Sequence, residues 1–374
     1  GWATRAQCEG MSVMNHAEGA RLLDTFRQLL QINSPSGQEG PLAEYLIAEL
    51  KALGLPVRQD AAGNVIAFTD PDLQGEALML CAHMDTVEPT TGLVIVEEDG
   101  IIRSDGTTIL GADDKAGIAV ILEALKRASR RPPLDIVFTV HEEGGLFGAK
   151  ALDLGSLRAR QGIVLDSGGA AGNLVTAAPS QMKVSAKVRG VAAHAGAAPE
   201  RGVNAIVLAA RGIAAMNLGR LDDETTANIG IIKGGQATNI VPDLVELRGE
   251  ARSHSEEKLQ AQVAAMKQAL EEAAQAGGGS AEVEVQPSYT RFAIPESEPL
   301  VQTFFEVASS LGLNPTTVKG GGGSDANVFN AQGMVVVNMS TGMANSHAKN
   351  EYIPAAALEQ AAVLLTALVE RMAP

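Results

Sequence analysis

Apolar side chains recur at three- to four-residue intervals from Ala20 through Leu23 and Phe26 to Leu30, the period of a helix with one buried face. A Ser-Pro-Ser-Gly turn at 34–37 interrupts the pattern, and a second helix is predicted over 41–53. Short apolar runs follow at 64–68, 77–82, 136–140 and 163–165, each the length of a buried strand. A strong helix over 115–128 lies between two of them. Strands alternating with helices predict an α/β domain on a mostly parallel sheet.

The period changes near Pro179. Met182, Val184, Ala186 and Val188 alternate with other residues, as in a half-exposed strand. A helix over about 203–216, strands near 227–232 and 243–251, a charged helix over 255–276 stopped by glycines, and a strand over 281–285 complete a β-α-β-β-α-β order. That order is the ferredoxin-like α+β unit. After Tyr289 the first pattern returns, with a helix over 300–311, a Gly-rich turn, an apolar run at 334–339 and a helix from Ala355. The expected organisation is a first domain at 11–178 and 291–374, interrupted by an inserted second domain at 179–290.

Two domains suit a chain of 374 residues. Aromatics are only 3%, so Ala, Val, Leu and Ile must fill the core. A net charge of −15 argues against nucleic-acid partners and against an anionic membrane surface. No apolar run approaches the ~20 residues that span a bilayer. Cys8 and Cys81 make no disulfide framework and fit a reducing cytoplasm, with Cys81 expected as a buried inert thiol. Residues 1–10 lack the apolar segment of a secretory signal and read as an added tail before Met11.

Metal-type ligands stand where the strand-like runs end: His83 and Asp85, then His141, Glu142 and Glu143, then Asp166, with His347 in the loop after 334–339. The pair Asp113-Asp114 precedes the helix that begins at Lys115. Taken alone, each is a surface pair or a helix cap. Together they fit open α/β sheets, in which ligands bind beyond the carboxyl ends of the strands. Two divalent cations can share a bridging carboxylate and lower the pKa of a water. A carboxylate not spent on metal can move protons. Three competing motifs are missing: the second His of H-E-x-x-H, the Gly-Lys-Ser/Thr of a phosphate loop, and a G-x-S-x-G elbow.

The segments Ala82-His83-Met84-Asp85-Thr86-Val87, Gly111-Ala112-Asp113-Asp114-Lys115-Ala116-Gly117 and His141-Glu142-Glu143-Gly144 resemble the M20 metallopeptidases, in particular their peptidase T-like branch. The resemblance implies a catalytic domain carrying two divalent cations, zinc first and manganese or cobalt next, and a lid domain through which a homodimer forms. It implies His83 and Asp166 on one cation, Glu143 and His347 on the other, and Asp113 bridging. Asp85 would orient His83, and Glu142 would be the general base and acid. His194 would reach the partner subunit's site. Asn239 and Arg252 would together hold a substrate carboxylate, beside a loop of Gly322, Gly323 and Ser324.

The implied substrate is a short peptide, cleaved as by a tripeptidase or aminopeptidase. A carboxypeptidase or an N-acyl-amino-acid amidohydrolase is the alternative, and a metal-binding scaffold without activity is the remote one. Two departures bear on specificity. His141 stands where an Asp is expected, and Gly321 stands where tripeptidases carry Arg.

Overall fold

The computed structural model describes residues 14–374. Cys8 and the tail at 1–10 lie outside the described residues. The chain forms two compact units. One runs through Thr176 and resumes over Ala293–Gly320 and Ser324–Pro374; the other is Ala177–Phe292 with Gly321–Gly323.

The first unit is built on a mixed sheet. Its centre has the order Leu134–Thr139, Leu78–His83, Gln161–Ser167, Val335–Ser340, all parallel. Leu78–His83 and Leu134–Thr139 are buried at every position. Strands covered on both faces show continuous apolar runs rather than alternation. Antiparallel strands Val65–Phe68 and Asn173–Ala178 flank this centre. Helix Ala112–Arg127 packs on Leu78–His83 and Gln161–Ser167, and against helices His16–Gln31 and Ala355–Arg371.

The second unit is an antiparallel sheet in the order Thr225–Gly234, Leu244–Ser253, Ser180–Arg189, Ser280–Tyr289. This is ferredoxin-like pairing. Val184, Val188, Val245 and Leu247 face inward to meet Leu208, Leu259 and Leu270 of helices Ala205–Ala214 and Glu256–Ala276. Asn204 and Ser255 cap those helices by accepting the N–H of Val207 and Lys258.

Three details differ from expectation. Arg252 lies within strand Leu244–Ser253, not just beyond its end. The Gly-rich turn opens a short helix, Asp325–Ala331. A small sheet of Ile95–Glu98, Ile101–Ser104 and Tyr352–Pro354 had no counterpart in the predicted elements. Among the described residues, no helix is long and apolar enough to cross a membrane.

Candidate metal centre

Parallel strands present their carboxyl ends along one edge, and the predicted ligands meet there. His83 ends its strand, and Asp166 is next to last in its own. Glu142 and Glu143 stand in the turn after Leu134–Thr139, beyond Val140 and His141. Asp113 sits after Gly111, whose φ of +86° turns the chain into the helix. Asp113 and Asp114 keep non-helical backbone angles, so the regular helix starts at Lys115.

Asp113 divides its two oxygens. Oδ1 is 3.0 Å from His83 Nε2, which is itself 3.6 Å from Asp166 Oδ1. Oδ2 is 3.2 Å from His347 Nε2, which is 2.7 Å from Glu143 Oε1. Among the described residues, three groups have possible ligand atoms within 4.8 Å of one another: His83, Asp113 and Glu143; His83, Glu142 and Asp166; Asp113, Asp114 and Asp166. His141 belongs to none of them. Its ring lies directly on Gly144, where an added Cβ would come within 1.9 Å, and 6.0 Å from the Phe147 ring.

Neighbouring groups fix these side chains. His83 Nδ1 is 2.7 Å from the Asp85 carbonyl oxygen and 3.3 Å from its carboxylate. Asp85 therefore meets His83 chiefly through its backbone. Its carboxylate accepts the N–H of Glu142 at 2.8 Å and of Glu143 at 3.1 Å, and the Ser36 hydroxyl at 2.5 Å. Asn338 holds Asp166 from both sides, accepting its N–H and donating to its carbonyl. Glu351 accepts three N–H groups of the Asp113 turn. No sequence pattern marked Ser36, Asn338 or Glu351; only Glu351 offered a faint signal, as an acid four residues after His347.

The charges are out of balance. Burial, partly offset by His83, pushes the Glu142 carboxyl well above its ordinary range, and Asp166 adds to the rise. Burial and then Asp113 do the same to Asp166. Burial opposes a charged His83, yet Asp166 and Glu142 hold its pKa well above the usual value. Hydrogen bonds to Asp113 and Glu143 push His347 up to about 10. The carboxylates around both imidazoles thus favour positive charge at this point. Oxygen and imidazole donors around excess buried negative charge suit divalent cations such as zinc, manganese or cobalt.

The profile of peptidase family M20/M25/M40 matches residues 79–371, a span that takes in every one of these candidate ligands. The chain belongs to that family. It is 42% identical to the uncharacterised protein YqjE of Bacillus subtilis, over 94% of this chain and 98% of that one. A tripeptidase structure from Staphylococcus aureus shares 40% identity with a TM-score of 0.89, over 95% of this chain and 98% of that one. Aminopeptidase PepT from Bacillus cereus shares 42% identity with a TM-score of 0.83, over the same fractions. This M20 enzyme is thus a metallopeptidase of the peptidase T-like branch, and it hydrolyses peptides.

The second unit sorts the remaining candidates into two places. His194 is exposed, and its Nδ1 accepts the N–H of Gly196 at 3.2 Å and of Ala197 at 3.1 Å. Its proton therefore sits on Nε2, leaving a donor free to face outward. Asn239 is beside it, because its carbonyl accepts the Ala195 N–H and Ile240 bridges His194. Arg252 is elsewhere. It bonds Glu250 at 2.7 Å, and Gly322 lies against its guanidinium, 3.4 Å from an added Cβ. Gly323 lies on the Tyr289 ring, where a Cβ would come within 2.3 Å. Ser324, in the first unit, caps helix Asp325–Ala331 by accepting the Ala326 N–H with its hydroxyl.

One expectation fails on distance. Arg252 pairs with Gln181 at one end of the sheet, whereas Leu244 pairs with Arg189 at the other. At about 3.3 Å per residue, the stretch from Leu244 to Arg252 spans roughly 26 Å, and Asn239 lies before Leu244. Asn239 and Arg252 of one chain cannot hold the same carboxylate.

Proposed function

We propose that the chain hydrolyses short peptides, in the manner of a tripeptidase or aminopeptidase, at a centre of two divalent cations. The divided Asp113 carboxylate carries this reading. It faces His83 with one oxygen and His347 with the other. His83 and Asp166 would hold one cation, Glu143 and His347 the other, and Asp113 would be shared between them. Zinc fits best, then manganese or cobalt. Such a pair supplies Lewis acidity and lowers the pKa of a water at neutral pH.

Glu142 is the base. It is buried beside the cluster, takes the proton of the attacking water and returns it to the departing nitrogen. Asp85 orients the two glutamates as well as His83. In the second unit, the lid, Arg252 anchors a substrate carboxylate at the Gly322-Gly323 turn. His194 and Asn239 act on the site of a second copy.

The sheet of the lid offers a place for that copy. Gly219–Arg220 pairs with strand Thr225–Gly234 only at Thr226 and Ala227. The rest of that edge carries Ile231 and Ile232, which are 44% and 53% exposed, while Ile206 and Val207 on the adjoining helix are also exposed. An unpaired apolar edge is a template for another chain, and we assign it to a homodimer. The free thiol of Cys81 fits a cytoplasmic site of action.

The test is elemental analysis alongside peptide hydrolysis. Two equivalents of metal per chain are expected, with activity abolished by chelation and restored by zinc, manganese or cobalt. Full turnover by protein shown to be metal-free sinks the proposal, and a single equivalent at full activity sinks its two-cation form.

A further inference from the structure

The turn that carries Asp113 is unusual in its hydrogen bonding. It departs from helical geometry at Asp113 and Asp114, so its first amides find no partner within the helix. A buried N–H left unpaired has given up its hydration with nothing in return. Glu351 meets this need from another segment. Its Oε2 accepts from Leu110 at 3.0 Å and Gly111 at 2.8 Å, and its Oε1 accepts from Asp113 at 2.9 Å. The side chain is fully buried.

Glu351 is also tied to a ligand by the chain itself. Ala344 and Tyr352 exchange backbone hydrogen bonds at 2.9 and 3.1 Å, closing a loop that holds both His347 and Glu351. Tyr352–Pro354 then pairs with Ile101–Ser104, and this anchors the loop in the small sheet. One closed loop therefore brings His347 to Asp113 Oδ2 and clasps the backbone that aims Asp113.

We propose that Glu351 is a positioning residue that sets the Asp113 carboxylate between the two halves of the metal centre. The inference rests on the two-cation reading above. Glu351 belongs to none of the candidate ligand groups and spends its carboxylate on three amides, so its effect passes through them to the Asp113 carboxylate. Its loss acts first on metal affinity and kcat, and little on KM. A residue that only stabilised the fold would lower the melting temperature and leave metal affinity in the folded protein unchanged.

The experiment titrates metal-free wild type, Glu351→Gln and Glu351→Asp with cobalt(II). Visible absorption reports stoichiometry and affinity, and circular dichroism identifies the folded variants. Glutamine puts an NH2 donor against an N–H donor, whereas aspartate keeps the charge and falls one methylene short. We expect two equivalents in wild type and about 10- to 100-fold weaker cobalt binding in folded Glu351→Gln, the range typical of groups that orient metal ligands. Unchanged affinity and kcat in that variant overturn the proposal. If wild type binds one equivalent, the two-cation reading fails instead, and the two failures are distinguishable. Should neither variant fold, amide exchange in metal-free wild type decides. The Leu110, Gly111 and Asp113 amides must exchange slowly, and exchange at the rate of open loops overturns the proposal.

Discussion

Glu142 and Glu143 are adjacent and chemically identical, yet their surroundings separate them. Glu143 places an oxygen 2.7 Å from His347, in the half of the cluster that faces Asp113 Oδ2. Glu142 is grouped with His83 and Asp166, and burial, with Asp166 adding to it, raises its pKa as a proton carrier requires. Glu142→Gln should therefore keep both cations and lose roughly 10²- to 10⁴-fold in kcat, the contribution of one acid–base group. Glu143→Gln should lose metal. Metal content measured beside kcat separates the two; equal metal loss in both variants would make Glu142 a ligand. At this scale the residues that cluster were legible, because His and carboxylate at strand ends are a local pattern. Their partners were not. Asn338 and Asp166 are 172 positions apart, and only the fold makes them neighbours.

Strand Gln161–Ser167 and helix Ala112–Arg127 meet at a glycine. An added Cβ on Gly117 would lie 2.2 Å from the Leu165 carbonyl oxygen and 2.5 Å from Asp114 Oδ1. The Leu165 backbone on one side and the buried Asp114 carboxylate on the other leave no room to yield. Gly117→Ala should cost about 1–3 kcal/mol by overpacking and should lower metal content by displacing Asp113-Asp114. Thermal unfolding in chelator and elemental analysis measure the two effects. An unchanged melting temperature with full metal would mean a looser contact than the structure has. The same density explains which elements could be read. Central strands announced themselves because both faces are buried. The ribbon Ile95–Glu98 and Ile101–Ser104 was silent, being short and half exposed, and its partner Tyr352–Pro354 is about 250 residues away. Helix Asp325–Ala331 was hidden by the glycines before it and by its length of seven residues.

For the whole molecule, the residues proposed to act on substrate from the second unit fall at opposite ends of its sheet, roughly 26 Å apart. Arg252 and the Gly322-Gly323 turn occupy one end, His194 and Asn239 the other. Membership of Gly321–Gly323 in the second unit was invisible in sequence, since it depends on contact with Tyr289 and Arg252. If the exposed edge of Thr225–Gly234 pairs with a second copy about a two-fold axis, each chain offers His194 to its partner and receives the partner's in return. His194 suits this work: Nδ1 is occupied by two amides, so the Nε2 proton can stabilise a developing oxyanion. Complementation tests the arrangement. His194→Ala and Glu142→Gln homodimers should each be nearly inactive. In a mixed dimer, the chain carrying His194→Ala keeps its own Glu142 and receives an intact His194, so one of its two sites works. Random exchange makes half the dimers mixed, and specific activity should recover to about a quarter of wild type for an isologous dimer. Mixed dimers verified by native mass spectrometry that remain inactive would place His194 in its own chain's site. A chain that stays monomeric and fully active would remove the need for a partner altogether.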